Sequence, residues 1–541
     1  MKARWTDFYK PLLVLLIGYS VVHFISFGIF YNGFSSSFSF IASQLPNWLT
    51  FFGDYILGHP FNSKFLLFSA LKNVIFFTTT CLIFSPFISN VKNLSWRHFE
   101  FEKWIKLLSF FVAFILCWEL ITYDFNYYLN SGFYIDRIVL ILFTIGILYH
   151  PIFIPAFIIT ALLYRSQFNF PIGGFPLFDK RVLFDLLLLS YAFLVANRFL
   201  KIKTSLFFIL VFCIVGGNYF STFQAKILNS PHGYEWLTEN KLNWFFLNSH
   251  ARGWLNFLTE ESILQLAMFL EKWSILLQSI VLIIEGSAIF ILFRKSVTRY
   301  LLLAFMLMHL AIFSIGSMLF WKWIAIDLFL IVFLWKAPEG LLNQLFKKSN
   351  RLASLLFISL SAILFQNFLI GWHDTPYNQL YSYQVVCEDG STYEFSKNNF
   401  NPYHQLIQYD KFNYLNPYKI LKISGFGYTS KYHLARAVRT SNWEEFLQLK
   451  EKYGNVELNQ MDKDGYVEFI SVFFKNYNEQ LKNNQWYTSM AAPHHIYNNV
   501  LKKQYDKQSK VILYRVVYQE YFIEKNILSI KRSIPLLEVK I

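Results

Sequence analysis

The sequence has few charged residues and few cysteines. Only 15% of its 541 residues are charged, whereas 55% are hydrophobic and 20% are aromatic, including 62 Phe. This composition excludes an ordinary soluble enzyme and indicates a polytopic membrane protein. Three of the four cysteines (Cys81, Cys117 and Cys213) lie in apolar runs and Cys387 stands alone. No disulfide framework and no thiolate metal site is therefore predicted.

The common motifs of nucleotide and hydrolytic chemistry are missing as well. The chain has no P-loop, GxGxxG, HExxH, CxxC or GxSxG sequence, and its histidines have no metal-ligand spacing, so no metal is predicted. The net charge is +15, but the 21 basic and 17 acidic residues from His373 onward account for only about +4 of it. The remaining positive charge lies near apolar runs, where it sets membrane orientation, and nucleic acid is not an expected partner.

Long apolar runs are frequent, and they predict an α-helical membrane protein with about eleven spans. The two short runs on either side of His150-Pro151 are compatible with two helices or with one broken unit. The first run lacks a cleavage site, so it is predicted to remain as a span. The predicted spans are 11–30, 65–90, 104–122, 136–149, 151–165, 182–198, 203–222, 273–293, 300–316, 319–335 and 352–371.

Basic residues occur in five clusters between these runs. With eleven spans and a cytoplasmic N-terminus, all five fall on the cytoplasmic side, as the positive-inside rule requires. The segments 31–62 and 223–272 and the C-terminal tail then face outward, and an amphipathic helix on the membrane surface is predicted within 223–272. The clusters are Lys2/Arg4/Lys10, Lys92/Arg97/Lys103, Arg198/Lys201/Lys203, Arg294/Lys295/Arg299 and Lys336/Lys347/Lys348/Arg351.

The composition changes at about residue 373, which predicts two domains: a transmembrane domain over 1–372 and a soluble extracytoplasmic domain over 373–541. In the second, VVCEDGSTYEF predicts a β-hairpin with an Asp-Gly turn. NWEEFLQLKEKYG predicts an Asn-capped helix that ends at a glycine. The runs KVILYRVVYQEYF and ILSIKRSIPLLEVKI predict late strands, so the fold expected for this domain is α+β or a β-sandwich.

Ionisable residues within apolar runs are candidates for function because they are costly in a bilayer. Glu285 and His309 lie near the middle of consecutive predicted spans and are expected to share a depth, either as a functional pair or as a pair that only holds two helices together. Lys72 and Glu119 are interpreted as a structural ion pair. His494-His495, in the tail, is interpreted as a surface pair.

Lys226 follows an apolar run directly, within YFSTFQAKILNSPHGYEWL. A lysine at such a place usually extends its ammonium to water and has no further role. If it is held in an apolar pocket instead, it loses its proton more readily and can act as a general base. Both interpretations stay open from the residues alone.

Several of these features together resemble a known family. Tyr219-Phe220, Lys226, His232-Gly233-Tyr234-Glu235-Trp236, Glu285 in IIEGSAIFILFR, and His309 with FSIG resemble the HTTM (horizontally transferred transmembrane) domain, the membrane domain shared with vitamin K-dependent gamma-glutamyl carboxylase. RSQFNFPIGGFPLFDKRVLFDLLLL resembles that family more loosely. The resemblance covers roughly residues 1–340.

The resemblance implies a chemistry and a cofactor. In the carboxylase, the lysine that corresponds to Lys226 deprotonates a reduced quinone of the vitamin K type, and its active site faces the lumen, the side that corresponds to the outside here. It implies Lys226, Glu285 and His309 as catalytic residues. The pocket-lining residues would be Tyr219, His232, Glu235, Trp236 and Ser314.

The expected function is thus a quinol-linked modification or maturation of an exported peptide or protein, by an integral protein of a bacterial inner membrane. The expected partners are membrane lipids and an exported peptide or envelope protein. The alternative is a non-catalytic membrane scaffold that presents the C-terminal domain to an envelope partner. A transporter is less favoured, because no paired broken helices occur in matching halves of the chain.

Overall fold

The fold is a helical bundle followed by a C-terminal region of strands and helices, and it is known from a computed structural model. All structural statements concern the described part of the chain. The described residues are 9–23, 95–98, 100–122, 125–130, 132, 134–166, 181–228, 230–365, 367, 371–400, 403–404, 407, 412–439, 442–481, 489–497, 504–506 and 509–541.

Apolar runs form the helices of the first part, as the hydrophobic pattern predicts. The helices are α1 Lys10–His23, α2 Glu102–Ile121, α3 Tyr134–Tyr149, α4 Phe153–Ser166, α5 Arg181–Phe199, α6 Thr204–Leu228, α7 Glu235–Glu239, α8 Leu242–Ala251, α9 Glu260–Ser287, α10 Lys295–Gly316, α11 Trp321–Lys336, α12 Glu339–Leu345, α13 Lys348–Ser359 and α14 Ser361–Leu364.

Four helices within the described ranges are long and apolar enough to cross a membrane: α2, α6, α9 with the helical turn that continues it to Phe290, and α10. The predicted number of about eleven spans is not supported. Helices α3, α4 and α11 have 16, 14 and 16 residues, which at 1.5 Å per residue is at most about 24 Å, short of the hydrocarbon thickness of about 30 Å. The predicted span 352–371 contains only α13, of 12 residues, and the short α14. The predicted span 65–90 lies outside the described residues.

His150-Pro151 separates α3 from α4, because a proline cannot continue the backbone hydrogen bonding of a helix. The amphipathic surface helix predicted within 223–272 is not a separate element. Its apolar part, ILQLAMFL, belongs to α9, which runs without a break for 28 residues. Thr259 begins α9 by accepting a hydrogen bond from the Ser262 backbone N–H.

Helix α6 is the centre of the bundle. In the most apolar 18-residue stretch of α6, 78% of the residues are buried, whereas the buried share of the corresponding stretch is 22% in α9 and 28% in α10. Glycine permits a close approach on one face: a Cβ on Gly217 would lie 2.6 Å from the Cβ of Ser361. The Ser361 hydroxyl donates to the Gly217 carbonyl at 3.0 Å, which joins α14 to α6.

The C-terminal region contains the predicted strands. β1 is His373–Asp374, β2 Tyr377–Cys387, β3 Thr392–Glu394, β4 Tyr428–Thr429, β5 Val511–Glu524 and β6 Ile527–Lys540. The four longer strands form an antiparallel sheet in the order β3-β2-β5-β6, and β1 pairs with β4. The hairpin predicted around Asp389-Gly390 joins β2 to β3, with Gly390 at φ 79°. The two late strands are confirmed as the β5-β6 hairpin.

Three helices accompany this sheet: α15 Tyr432–Val438, α16 Trp443–Tyr453 and α17 Gln460–Glu479. The predicted capped helix is confirmed as α16. The Asn442 side chain accepts from the Glu445 backbone N–H, and Gly454 follows the last turn. Strands and helices together give an arrangement of the α+β type.

The C-terminal region packs against one end of the bundle. The backbone N–H of Leu319, between α10 and α11, donates to His495, and that of Tyr497 donates to Ser317. The Trp118 indole of α2 donates to Met490 at 2.7 Å. Residues 489–497 therefore cross the ends of α2 and α10, and this end of the bundle is called the tail-facing end below.

Candidate functional site

Lys226 lies in the last turn of α6, at the tail-facing end, and only 6% of its surface is exposed. The basic side chain suits this position because the carbonyl groups of a helix C-terminus carry partial negative charge. The side chain is therefore enclosed by the protein and does not extend to the surface, and its role as a base stays a prediction.

The partner of Lys226 is Glu285, near the end of α9. The Nζ atom donates to both carboxylate oxygens of Glu285 at 2.7 Å, and Glu285 is 5% exposed. The ammonium also lies 4.5 Å from the centre of the Trp236 ring, over its face, where the ring quadrupole attracts a cation. An acid, a base and an aromatic face thus form one buried group, which we call the lysine cluster.

Glu235 and His232 lie at the border of this cluster. Glu235 is buried, and its carboxylate accepts from the His232 backbone N–H at 3.0 Å and contacts His232 Nδ1 at 2.5 Å. Burial alone would raise the pKa of Glu235, but hydrogen bonds from the backbone and from His232 lower it overall. The His232 side chain is 69% exposed. This pair fixes the turn that leads into α7 and so positions Trp236.

The first residues of the C-terminal region complete the surroundings of Lys226. The Trp236 indole donates to the Trp372 carbonyl at 2.6 Å. Asp374 accepts from the Trp372 indole at 2.9 Å and from the Asn240 amide at 3.2 Å. The aspartate is deeply buried, and this burial raises its pKa to about 7, although the hydrogen bonds and the nearby positive charges of Arg439 and Lys226 oppose the shift.

A second polar group lies deeper along α6. The Tyr219 hydroxyl donates to Asp327 Oδ2 at 2.7 Å and lies 3.0 Å from His309 Nε2, and the Tyr219 ring stacks on Phe305. Tyr219 and Lys226 are seven residues apart, so they lie on the same face of α6, about 10 Å apart along its axis. We call this group the tyrosine triad.

The tyrosine triad has hydrogen-bonding capacity that the described residues do not use. His309 Nδ1 and Asp327 Oδ1 are buried and have no hydrogen-bond partner there. If the single phenolic proton of Tyr219 goes to Asp327, His309 Nε2–H donates to the phenolic oxygen, and Nδ1 of the neutral ring is left as an acceptor. The triad therefore suits a ligand or water that carries a hydroxyl group.

The expected pairing of Glu285 with His309 is not formed. Glu285 contacts Lys226, while His309 contacts Tyr219. The structure thus divides the predicted residues between two clusters. Lys226, Glu285, Trp236, Glu235 and His232 belong to the lysine cluster or its border, and Tyr219 and His309 belong to the tyrosine triad.

Ser314 lies apart from both clusters. It is exposed on α10, and its hydroxyl donates to the Leu310 carbonyl of the same helix at 2.9 Å. Asp327 is an ionisable residue within the apolar run of α11, and the structure places it in the triad. Trp372 and Asp374 were not predicted, although an acid directly after the last apolar run was a signal that could have drawn attention to them.

Two other predicted pairs differ in the structure. Lys72 lies outside the described residues, and Glu119 forms an ion pair with Lys322 at 3.3 Å. The histidine pair of the tail is not a surface pair. The His495 ring packs on Phe320 at 4.7 Å between ring centres, and His494 is largely enclosed, because residues 489–497 pack against the bundle.

Comparison with known proteins found no similar protein. No family model, curated protein or solved structure matches the chain. Within the described ranges, no group of three or more His, Cys, Asp or Glu residues could hold a metal ion. The function proposed for the site therefore rests on the site's own geometry.

Proposed function

We propose that this chain is an integral membrane protein of the HTTM type that carries out a quinol-linked modification or maturation of an exported peptide or protein, with Lys226 as the base. The observation that carries the proposal is the lysine cluster itself. A lysine enclosed at the end of the central helix, with a carboxylate on its ammonium, is a built acid–base group away from water.

The residues of the cluster divide the work of moving a proton. Lys226 can accept a proton only from its neutral form, and Glu285, at 2.7 Å, is placed to hold the proton that the ammonium releases. Once Lys226 has taken a proton from the substrate, the face of Trp236 stabilises the ammonium, while Glu285 keeps the first proton and its carbonyl oxygen accepts a hydrogen bond from the ammonium. No bulk water is needed for these steps, since both partners are buried.

A reduced quinone would supply phenolic O–H groups and reducing electrons to this site. The tyrosine triad fits such a group, because the unpartnered His309 Nδ1 and Asp327 Oδ1 are both acceptors and match the O–H donors of a quinol. The aromatic rings of Phe305 and Trp323, packed on Tyr219, suit a flat apolar ring.

Location in a membrane is supported by the four long apolar helices and by the apolar side chains that α9 and α10 leave exposed. The orientation we propose, with the N-terminus cytoplasmic and the C-terminal region outside a bacterial inner membrane, is supported by the basic clusters. Arg299 donates to the Leu334 carbonyl and Arg351 packs on Phe293, so two of the five basic clusters meet at the end of the bundle opposite the tail-facing end.

The alternative of a non-catalytic scaffold is favoured by one observation. The C-terminal region is joined to the bundle through residues 489–497 and through Trp372, whose ring stacks on Tyr428 at 3.5 Å between centres. Such a junction would hold the region in a fixed position for an envelope partner. In that case the lysine cluster is a buried ion pair that only joins α6 to α9.

The test is the substitution Lys226→Met in purified full-length protein in lipid nanodiscs. We expect oxidation of the reduced quinone menadiol by dissolved dioxygen, the electron acceptor in this assay, to fall by at least about 100-fold, the usual contribution of a general base. The exposed Lys272 on α9 supplies the matched control, and Lys272→Met should leave the rate unchanged.

The double variant Lys226→Met/Glu285→Leu separates chemistry from folding. It removes both buried charges, so it should be about as stable as the wild type while remaining inactive. Unchanged menadiol oxidation in Lys226→Met would reject the enzymatic proposal and leave the scaffold.

A further inference from the structure

His373 is a fully buried residue of β1 that has no role in the proton transfer proposed for Lys226 and Glu285. None of its surface is exposed, and neither ring nitrogen has a hydrogen-bond partner within the described ranges. A neutral imidazole has one N–H donor and one lone-pair acceptor, and buried groups of this kind are nearly always paired. A bound ligand or a water is therefore a candidate partner for this ring.

The position of His373 places it beside the lysine cluster. Trp236, whose ring lies under the Lys226 ammonium, donates its indole N–H to the carbonyl of Trp372, the residue before His373. Burial, together with the positive charges of Arg439 and Lys226, lowers the pKa of His373 to about 4. The ring is thus neutral near pH 7.

The backbone that follows His373 is held by two hydrogen bonds. The Asp374 N–H donates to the Asn240 side chain at 2.6 Å, and the Thr375 N–H donates to the Gly427 carbonyl at 2.8 Å. The ring meets Tyr432 edge-on, at 5.7 Å between centres. A binding group fixed in this way does not have to be ordered when a ligand arrives.

The charges around the ring select the class of ligand. Lys226 and Arg439 disfavour a cation, and a carboxylate can only accept, so it can bind only the nitrogen that carries the proton. A hydroxyl group suits either nitrogen, because it can donate to one and accept from the other. A phenol adds a ring for the aromatic side chains Trp236 and Tyr432.

We infer that His373 binds a hydroxyl group of a phenol-type ligand at the lysine cluster, so that the C-terminal region supplies one side of the site. The inference rests on the proposed function, in which that ligand is a reduced quinone. It makes the C-terminal region part of the binding site, in addition to any role in presenting a partner.

The test measures binding of menadiol to the full-length protein in lipid nanodiscs under nitrogen. His373→Phe keeps a ring of similar size without nitrogens, and we expect the dissociation constant to rise at least tenfold. The exposed His433, on the neighbouring α15, gives the control, and His433→Phe should change the constant less than twofold. The same aromatic frame without hydroxyl groups, 2-methylnaphthalene, should bind wild type and His373→Phe equally.

The outcomes separate this inference from the proposed function. No saturable binding of menadiol by the wild type rejects both. Wild-type affinity in His373→Phe, with binding lost in Lys226→Met, overturns the role of His373 alone. Equal weakening of menadiol and 2-methylnaphthalene shows a packing effect and also overturns it.

A second measurement does not depend on how the variant folds. In protein labelled with ¹⁵N-histidine, the ring nitrogen signals of His373, assigned by their loss in His373→Gln, should shift on addition of menadiol. Signals that stay in place, as they would if a buried water were the only partner, overturn the inference.

Discussion

The side chains around Lys226 carry opposite responses to pH. Asp374 is a buried acid whose pKa is raised to about 7, and its neighbour His373 is a buried base whose pKa is lowered to about 4. The folded protein therefore binds more protons than the unfolded chain at Asp374 and fewer at His373. The two effects oppose each other over one range of pH.

Asp374 and His373 stabilise the folded protein over different ranges of pH. The raised pKa of Asp374 gives stability that is present below about pH 4 and is lost as the pH rises to about 7. The lowered pKa of His373 gives stability that is present above about pH 6.5 and is lost as the pH falls to about 4. Between about pH 4 and 6.5 the two slopes cancel in the wild type.

Single substitutions should reveal the slopes. Asp374→Asn removes the acid, so its stability should rise relative to wild type between pH 4 and 7, by up to about 4 kcal/mol, the equivalent of a shift of about three pKa units. His373→Phe should instead fall relative to wild type between pH 4 and 6.5. Melting temperatures from pH 4 to 8 measure both, and parallel curves for all three proteins would contradict the assignment.

The position of Lys226 at the end of a helix could be predicted from the order of residues along the chain, but its partner could not. Glu285 and His309 were expected at one depth, and each has a partner on α6 instead. The choice depends on how α9 and α10 are rotated about their axes, which the hydrophobic pattern leaves open when a helix is apolar on most sides. The role of Trp372 and Asp374 depends on a tertiary contact with α7 and Asn240, for which no local pattern exists.

Among the elements, α6 carries both polar clusters and is also the most enclosed of the four helices that are long and apolar enough to cross a membrane. Its position depends on close packing against α14 and on the turn after α9. Gly217 leaves room for Ser361, and Gly216 lies where a Cβ would be 3.1 Å from the Ile291 side chain. Small residues at these two positions set the distance at which neighbouring helices can pack.

A pair of glycine substitutions tests this packing. Gly217→Ala should lower the free energy of unfolding by about 1–3 kcal/mol, because its Cβ would lie 2.6 Å from Ser361. Gly465→Ala in α17 places a Cβ in open space, and should raise it by about 0.5–1 kcal/mol, since alanine favours a helix. Melting curves of both variants measure these two changes in stability. A Gly217→Ala protein as stable as Gly465→Ala would show that α14 does not pack as described.

The elements differ in how far the sequence determined them. The hairpin at Asp389-Gly390 and the capped helix α16 depend on local turn and cap chemistry, and both were predicted correctly. Spans were overcounted because an apolar run gives the extent of burial without saying whether lipid or protein covers it. Helices such as α1 and α3 are apolar yet short.

For the whole molecule, the segment 489–497 is one of the connections between the two parts. Ile496 pairs with Met318 in an isolated β-bridge and is 1% exposed, while Ala492 donates its backbone N–H to Thr122 at 3.2 Å. These contacts join the tail to three helices that are far apart in sequence. The tail-facing end is thus one structural unit, and cutting the chain after Gly371 would expose surfaces that are buried in the intact protein.

A charge placed in this junction should loosen it. Ile496→Asp buries an unpaired carboxylate, and we expect a loss of stability above about 3 kcal/mol together with faster cleavage by protease in the C-terminal region. Met490 lies in the same segment with an exposed side chain, so Met490→Asp should stay within about 0.5 kcal/mol of wild type. Equal protease resistance of the two variants would show that the segment does not hold the parts together.

The bridge between Met318 and Ile496 also sets an order of events during synthesis. Nearly 180 residues separate the two strands of this bridge, so the turn between α10 and α11 must wait about 10–35 s for its partner at ordinary rates of translation. During that interval the tail must reach the same face of the membrane as the turn. The lysine cluster acquires Trp372 and Asp374 earlier, once the chain beyond α14 has reached that face, so the site is complete before the bridge to Ile496 can form.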